Sequence, residues 1–204
     1  MKTQIRRGVF ETNSSSVHSI SIIKDNLKNS LPVKFTIDCN GEFGWEVKTY
    51  DDAQSKAAYM YQAILYYPYS LICDKDDIIA AQEILQSLMN KFIKNIESYG
   101  IEVDCKYKFT KIFHDEFENF GNKHVYDYVE FVDENGNSNE NFGYLDHGGE
   151  AKDLVDYVLS SPENTVKFIF DNRCFIDTGN DNMGIYGDGK HRDYGESIIF
   201  EKGN

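Results

Sequence analysis

The sequence predicts an α+β fold in which a mostly antiparallel sheet packs against helices. The strongest helical signal lies in the middle of the chain, where residues 78–98 repeat apolar side chains every three or four positions. Runs rich in β-branched and aromatic residues, such as 17–23 and 196–201, lie on both sides of this helix. Strands grouped apart from helices are typical of the α+β class. Because no linker rich in Pro or Ser divides the chain, we expect a single domain over residues 1–204.

Three helices are predicted from capping signals and apolar periodicity. The two central ones cover 53–67 and 78–98, and a shorter C-terminal one covers 150–159. A pair of aspartates precedes each central helix, where a carboxylate accepts hydrogen bonds from the free N–H groups of the first turn. We expect all three helices to pack on the sheet.

Short strands account for most of the remaining chain. The predicted strands are 4–10, 17–23, 33–38, 44–49, 101–108, 124–131, 165–170, 174–177 and 196–201. The Asn40-Gly41 pair predicts that 33–38 and 44–49 form a hairpin, because Asn-Gly accepts the positive φ angles of a tight turn. The dense apolar run 165–170 predicts a buried strand.

Charge restricts the class of partner. The 204 residues carry 34 Asp plus Glu against 21 Lys plus Arg, a net charge of −13. A negative field of this size repels nucleic-acid phosphates and anionic membrane surfaces, so we expect no direct nucleic-acid binding and no membrane partner. No run approaches the roughly 18 apolar residues of a membrane span, and no signal-peptide segment opens the sequence. We therefore expect a cytoplasmic protein.

The cysteines give no indication of a metal or a disulfide framework. The four of them are scattered, without a CxxC pair or a histidine at a zinc-site spacing. We expect reduced thiols and assign no metal ligands, and the sequence leaves open whether any metal is bound and which cofactor, if any, is used. The four are Cys39, Cys73, Cys105 and Cys174.

One stretch near the start of the chain is the strongest candidate for a binding site. Two cations, a carboxylate, an imidazole and a run of hydroxyls crowd into residues 6–19. The candidate ligand-binding residues are Arg6, Arg7, Glu11, Thr12, Asn13, Ser14, Ser15, Ser16 and Ser19. Arginine recognises phosphate with two parallel hydrogen bonds, and hydroxyls add further donors. A hydroxyl-rich turn that binds nothing is the simpler alternative, and it stays open.

Two later loops supply further polar residues. The first loop, residues 146–149, follows a predicted strand and precedes the 150–159 helix, so its free N–H groups favour an anion. Asp146 of this loop, or Asp181 of the second loop, could orient a neighbouring histidine. His18 or His147 is the candidate general base, because imidazole titrates near neutral pH. The candidate catalytic residues are therefore His18, His147 and Asp146, and the further ligand-binding residues are Gly148, Gly149, Asn180, Asp181 and Asn182. A role as ordinary caps and turns remains the alternative.

These three blocks carry a resemblance to a family. The opening RRGVFETNSSSVHSI resembles the start of a group of largely uncharacterised proteins from phages and mobile elements of low-GC bacteria. The YLDH and FIFDNRCFIDTGNDN segments resemble the group's other shared blocks, with DHGG here in place of a DHQS-like sequence. The resemblance implies a phage or prophage setting and a common site built from the three blocks. It implies no particular activity.

Two functions are compatible with these observations. The first is a pocket for a nucleotide or other phosphorylated small molecule, with hydrolysis or group transfer as its possible chemistry. The second is a non-enzymatic acidic protein that mimics nucleic acid and inhibits a basic host or defence protein, because residues 111–156 carry a net charge of 3 − 12 = −9. The triplet Glu116-Phe117-Glu118 also matches the ExE form of ADP-ribosyl transferases, a short motif that is frequent in acidic chains.

Overall fold

The computed structural model describes residues 16–27, 29–44, 46–68, 75–115, 128–136, 142–146, 148–180 and 197–202. Within these ranges the chain forms ten strands and four α-helices, and the predicted α+β class is confirmed. The strands are β1 (Ser16–Ile23), β2 (Lys34–Ile37), β3 (Glu42–Phe43), β4 (Lys48–Tyr50), β5 (Glu102–Cys105), β6 (Phe109–Asp115), β7 (Tyr128–Asp133), β8 (Tyr144–Leu145), β9 (Phe175–Asn180) and β10 (Ser197–Lys202). The helices are α1 (Ala53–Tyr66), α2 (Lys75–Glu97), α3 (Lys152–Leu159) and α4 (Pro162–Phe170). The predicted strand 4–10 lies outside the described residues.

Four strands form the main sheet in the order β10-β1-β9-β4, and every pairing in it is antiparallel. The register between β1 and β9 places Ser16 opposite Asn180 and His18 opposite Thr178. Directly opposed residues of antiparallel strands project from the same face of a sheet. Ser16, His18 and Thr178 therefore share one face, and all three are fully buried.

Three two-stranded pairs lie beside the main sheet. β2 pairs with β5 and β3 with β8 in parallel, whereas β6 and β7 are antiparallel. The predicted hairpin of 33–38 with 44–49 is therefore wrong, although the backbone does turn at Gly41, whose amide donates to the Cys39 carbonyl. The two predicted strands pair with distant partners instead, because β2 pairs with β5 and β4 pairs with β9.

The first two predicted helices are present, but α2 begins at Lys75, so Asp76 and Asp77 lie inside it and do not precede it as predicted. The helix α1 is the more deeply enclosed. Its N-cap Asp52 accepts a hydrogen bond from the Ser55 amide at 2.8 Å, as the sequence predicts. Every residue from Lys56 to Leu65 is buried, so this part of the helix has no solvent-exposed face. The helix predicted over 150–159 is also present, and it begins with a short 3₁₀ helix (Gly148–Ala151) that leads into α3.

The predicted strand over 165–170 is wrong, because these residues form the second half of a fourth helix, α4. All six are buried, and a helix that is buried on every side shows the same continuous apolar run as a buried strand. The capping signal lies just upstream, where the Ser161 hydroxyl accepts from the Asn164 amide and Pro162 occupies the first turn. Asn95 of α2 donates to the Thr165 hydroxyl at 2.8 Å and joins the two helices.

The core lies between the main sheet and the helices. The isoleucines of β1 at positions 20 and 22 are buried in this core, and the rings of Phe43 and Tyr50 meet edge to face at 5.0 Å. Among the residues that the structure describes, no helix is both long enough and apolar enough to cross a membrane.

Candidate functional site

The structure describes seven of the residues that the sequence singles out. They are Ser16, His18, Ser19, Asp146, Gly148, Gly149 and Asn180. The other ten lie outside the described residues, so their assignment stays a prediction. These ten are Arg6, Arg7, Glu11, Thr12, Asn13, Ser14, Ser15, His147, Asp181 and Asn182.

Ser16 and Asn180 pair directly at one end of the main sheet. We call this pair of residues the strand-end site. Ser16 is 0% exposed, and its Oγ has no hydrogen-bond partner among the described residues. Leaving a buried hydroxyl unpaired costs about 1–3 kcal/mol, so this atom favours a partner beyond the described residues.

His18 lies two residues along the same face of β1 and is also 0% exposed. Its Nε2 is 2.9 Å from the carbonyl oxygen of Gly44, and its Nδ1 is 3.1 Å from the hydroxyl oxygen of Tyr59. Both ring nitrogens are therefore engaged within the protein. This arrangement suits a residue that holds elements together, and the general-base role of His18 stays a prediction.

The described residues of segment 44–48, Gly44 and residues 46–48, are hydrogen-bonded to both central strands of the main sheet. Thr178 of β9 places its hydroxyl 2.5 Å from the Glu46 carbonyl and 3.2 Å from the Lys48 carbonyl. His18 of β1 binds the Gly44 carbonyl at the other end of the same segment. The segment is thus held from both central strands.

Asp146 is brought near this region by the pairing of β3 with β8. Its amide donates to the Phe43 carbonyl at 2.9 Å, one residue before the carbonyl that His18 binds. The carboxylate of Asp146 accepts from the Tyr144 hydroxyl at 2.8 Å. Burial, together with this hydrogen bond, raises the pKa of Tyr144 well above its usual value. The backbone therefore connects a member of each of the three sequence blocks.

The remaining described candidates are Ser19, Gly148 and Gly149. Ser19 projects from the opposite face of β1, because side chains alternate along a strand, and its cross-strand neighbours are Asp177 and Glu201. Gly148 and Gly149 lie in the 3₁₀ helix that precedes α3. The structure does not bring Ser19 to the face that Ser16 and His18 share.

The described charges around segment 44–48 are mixed. Glu46 accepts from the Tyr50 hydroxyl at 2.7 Å, and the Lys48 ammonium lies 4.4 Å from the centre of the Tyr50 ring. Within the described ranges, no group of three or more His, Cys, Asp or Glu side chains is placed to hold a metal ion. The arginines that favour phosphate, Arg6 and Arg7, belong to the undescribed part of the chain.

A second buried polar cluster lies at the opposite end of β9, where α4 leads into that strand. The ammonium of Lys56 donates to the carbonyls of Asp171 (2.6 Å) and Cys174 (2.8 Å), and the Asp171 carboxylate binds the Arg173 guanidinium. Burial lowers the pKa of Lys56 to about 8, against the partial compensation of nearby acidic groups. Because the α4 carbonyls carry partial negative charge, this cation stabilises the end of the helix.

Sequence reasoning missed the residues that support the site. Tyr59 and Thr178 gave no signal beyond that of ordinary core and turn residues. The hydrogen bonds of Tyr59, Thr178 and Gly44 depend on pairings between distant segments, which a single sequence does not reveal.

Comparisons of the chain with models of protein families, with curated proteins and with solved structures find no match.

Proposed function

We propose that this protein binds a nucleotide or another phosphorylated small molecule at the strand-end site. The observation that carries the proposal is the buried Oγ of Ser16, which lacks a partner among the described residues and lies opposite Asn180. A bound ligand would relieve the cost of leaving this hydroxyl unpaired. The polar runs 11–15 and 181–182 adjoin this pair in sequence and would supply further donors.

A phosphate-bearing ligand is favoured by two cations that lie close to the hydroxyl run in the sequence. Arg6 and Arg7 precede the hydroxyl run, and guanidinium groups bind phosphate through paired hydrogen bonds. A local basic segment on a chain of net charge −13 would retain a small anion while repelling a nucleic-acid duplex. The phage or prophage setting is part of the same proposal and is supported by the resemblance of the three sequence blocks.

Binding is the primary element of the proposal, and catalysis is secondary. Both ring nitrogens of His18 are engaged by Gly44 and Tyr59, which does not favour this imidazole as a base. Hydrolysis or group transfer would then depend on His147, or on Asp146 at the end of β8. Product analysis by chromatography, after incubation with each compound that binds, tests whether turnover accompanies binding.

The proposal is tested by thermal unfolding with ATP, GTP, cyclic AMP, NAD⁺ and pyrophosphate. A ligand present at about 100 times its Kd adds about 2.7 kcal/mol to the free energy of unfolding, which raises the Tm by about 5–10 °C in a chain of this size. We expect Ser16→Ala and Arg7→Ala to abolish the shift. Ser30→Ala and Lys108→Ala, at exposed positions, are the matched controls and should retain it. The absence of a shift with every compound would refute the proposal.

The acidic-inhibitor function is the second candidate, and the charge of −9 over 111–156 favours it. Carboxylates that stand in for phosphates should bind a basic host or defence protein with an affinity that falls steeply as salt rises. A pull-down from host extract at 50 and 500 mM salt, with a variant in which the acidic residues of 111–156 are replaced by Asn and Gln, measures this directly. Retention of the same partner by that variant would reject the mimic.

A further inference from the structure

We infer that His18 is a positioning residue for the strand-end site, held as the Nε2–H tautomer between Gly44 and Tyr59. The inference rests on the proposed function, because it assigns a role within that same site. It concerns how the site is held in shape and assigns His18 no contact with the ligand.

The tautomer follows from the two hydrogen bonds. The Gly44 carbonyl oxygen only accepts, so Nε2, at 2.9 Å, must carry the hydrogen. In a neutral ring Nδ1 then accepts, and the Tyr59 hydroxyl, at 3.1 Å, is the donor. Burial raises the pKa of Tyr59 well above its usual value, so this hydroxyl keeps its proton. Nε2 therefore donates to the Gly44 carbonyl, and Nδ1 accepts from the Tyr59 hydroxyl of α1.

The positioning role follows from what these bonds connect. Tyr59 belongs to α1, His18 to β1, and Gly44 follows β3, whose Phe43 carbonyl binds the Asp146 amide. Ser16 lies two residues from His18 on the same face of the strand, about 7 Å away. Loss of the ring would release Gly44 from β1, and with it the backbone that places Asp146 relative to Ser16.

The tautomer is tested by NMR on the full-length chain labelled with ¹⁵N at histidine. The chain has five histidines, and the signal that disappears in His18→Gln identifies position 18. We expect a protonated Nε2 and an unprotonated Nδ1, and we expect Tyr59→Phe to perturb the Nδ1 signal. A protonated Nδ1 in the wild-type protein would overturn the inference and leave the proposed function intact.

The positioning role is tested by calorimetric titration at 25 °C, with whichever of ATP, GTP, cyclic AMP, NAD⁺ and pyrophosphate gives the largest thermal shift. We expect Tyr59→Phe to weaken binding about fivefold, the value of one hydrogen bond, and His18→Leu to weaken it at least about tenfold. His18→Gln retains an amide donor for Gly44 and should remain within about threefold of wild type.

The matched control is Tyr61→Phe, two residues further along α1. The Tyr61 hydroxyl donates to the Tyr107 carbonyl and accepts from the Phe109 amide, away from the strand-end site. This variant should lose stability without losing affinity. If Tyr59→Phe binds as tightly as wild type does, the positioning role is wrong while the proposed function stands, even if His18→Leu does not fold. If no compound binds the wild-type chain, both proposals fail together.

Discussion

His18 and Thr178 face each other across the two central strands and hydrogen-bond to the same segment of chain. His18 binds the Gly44 carbonyl at 2.9 Å, and Thr178 binds the Glu46 carbonyl at 2.5 Å. A loop fastened from two adjacent strands keeps its position only while those strands remain in register. The geometry of the strand-end site therefore depends, through this pair of residues, on the register of the main sheet.

Replacing Thr178 with valine should lower the free energy of unfolding by about 1–3 kcal/mol, because the Glu46 and Lys48 carbonyls lose a buried donor. Thr36→Val, at an exposed position of β2, is the control and should change stability by less than about 0.5 kcal/mol. Urea denaturation measures both. Combining Thr178→Val with His18→Gln should show a coupling energy above about 0.5 kcal/mol, since both residues hold one segment, and strict additivity would contradict this account.

Replacing Ser16 with alanine should leave the unliganded protein as stable as wild type or raise its free energy of unfolding by about 1 kcal/mol. The variant removes a buried hydroxyl that is unpaired among the described residues, and so it removes a desolvation cost. The same substitution should abolish the ligand-induced thermal shift. A loss of 1 kcal/mol or more in the absence of ligand would mean that the Ser16 hydroxyl already has a stabilising partner.

Gly143→Ala should destabilise the protein far more than Gly100→Ala, although both glycines have a positive φ, +69° and +78°. A methyl group at Gly143 would collide with the Gly41 carbonyl and with the Gln62 amide, whereas nothing lies within 4 Å of one at Gly100. We expect a loss of about 1–2 kcal/mol at position 100 from backbone strain alone, and a clearly larger loss at position 143. Equal losses in chemical denaturation would show that the packing of Gly143 on Gly41 is not required.

The buried lysine predicts a pH dependence of stability. Lys56 has a folded pKa of about 8 against 10.5 in the unfolded chain. Between these values the unfolded chain holds a proton that the folded chain lacks, so the lysine makes the free energy of unfolding rise with pH, by about 2 kcal/mol from pH 7 to 9.5. The buried thiols have the opposite effect: burial raises the pKa of Cys39 to about 12 and of Cys105 to about 11, so they make the free energy of unfolding fall as pH rises. The contribution of Lys56 is therefore isolated by comparing wild type with Lys56→Met, in which the thiols are unchanged.

Urea denaturation at pH 7, 8, 9 and 9.5 measures this difference. The gap between wild type and Lys56→Met should change by about 2 kcal/mol in favour of wild type as pH rises. Lys108→Met, at an exposed position, should follow wild type throughout. Parallel curves for wild type and Lys56→Met would mean that Lys56 keeps its charge over the whole range.

Local signals explain which parts of the fold the sequence predicts. The apolar stripe of α2, the Asp52 cap of α1 and the β-branched run of β1 all depend on neighbours within a few positions, and each forms as predicted. The run 165–170 fails because burial on all sides removes the periodicity that separates a helix from a strand. The Ser161-Pro162 capping signal indicates the helix, and the apolar run obscures it.

Long-range pairing explains which features of the fold and of the site the sequence does not predict. The predicted hairpin fails because β2 and β4 each pair with a distant strand, β5 and β9. The polar blocks identify Ser16, His18 and Asp146 as candidates, but the hydrogen bonds that hold His18 and Asp146 run to Tyr59, Gly44 and Phe43. Those residues have ordinary core and turn chemistry, so no local property distinguishes them.

The central position of β1 has a consequence for the nascent chain. Its partners β9 and β10 lie far downstream, with Ser16 and Asn180 separated by 180 − 16 = 164 positions. At a translation rate of about 5–20 residues per second, β1 waits roughly 8–30 s after its own synthesis before a neighbouring strand exists. During that interval its unpaired backbone edges are open to pairing with other chains. Ser16 and His18 are among the first described residues to be synthesised, and their site is among the last to assemble.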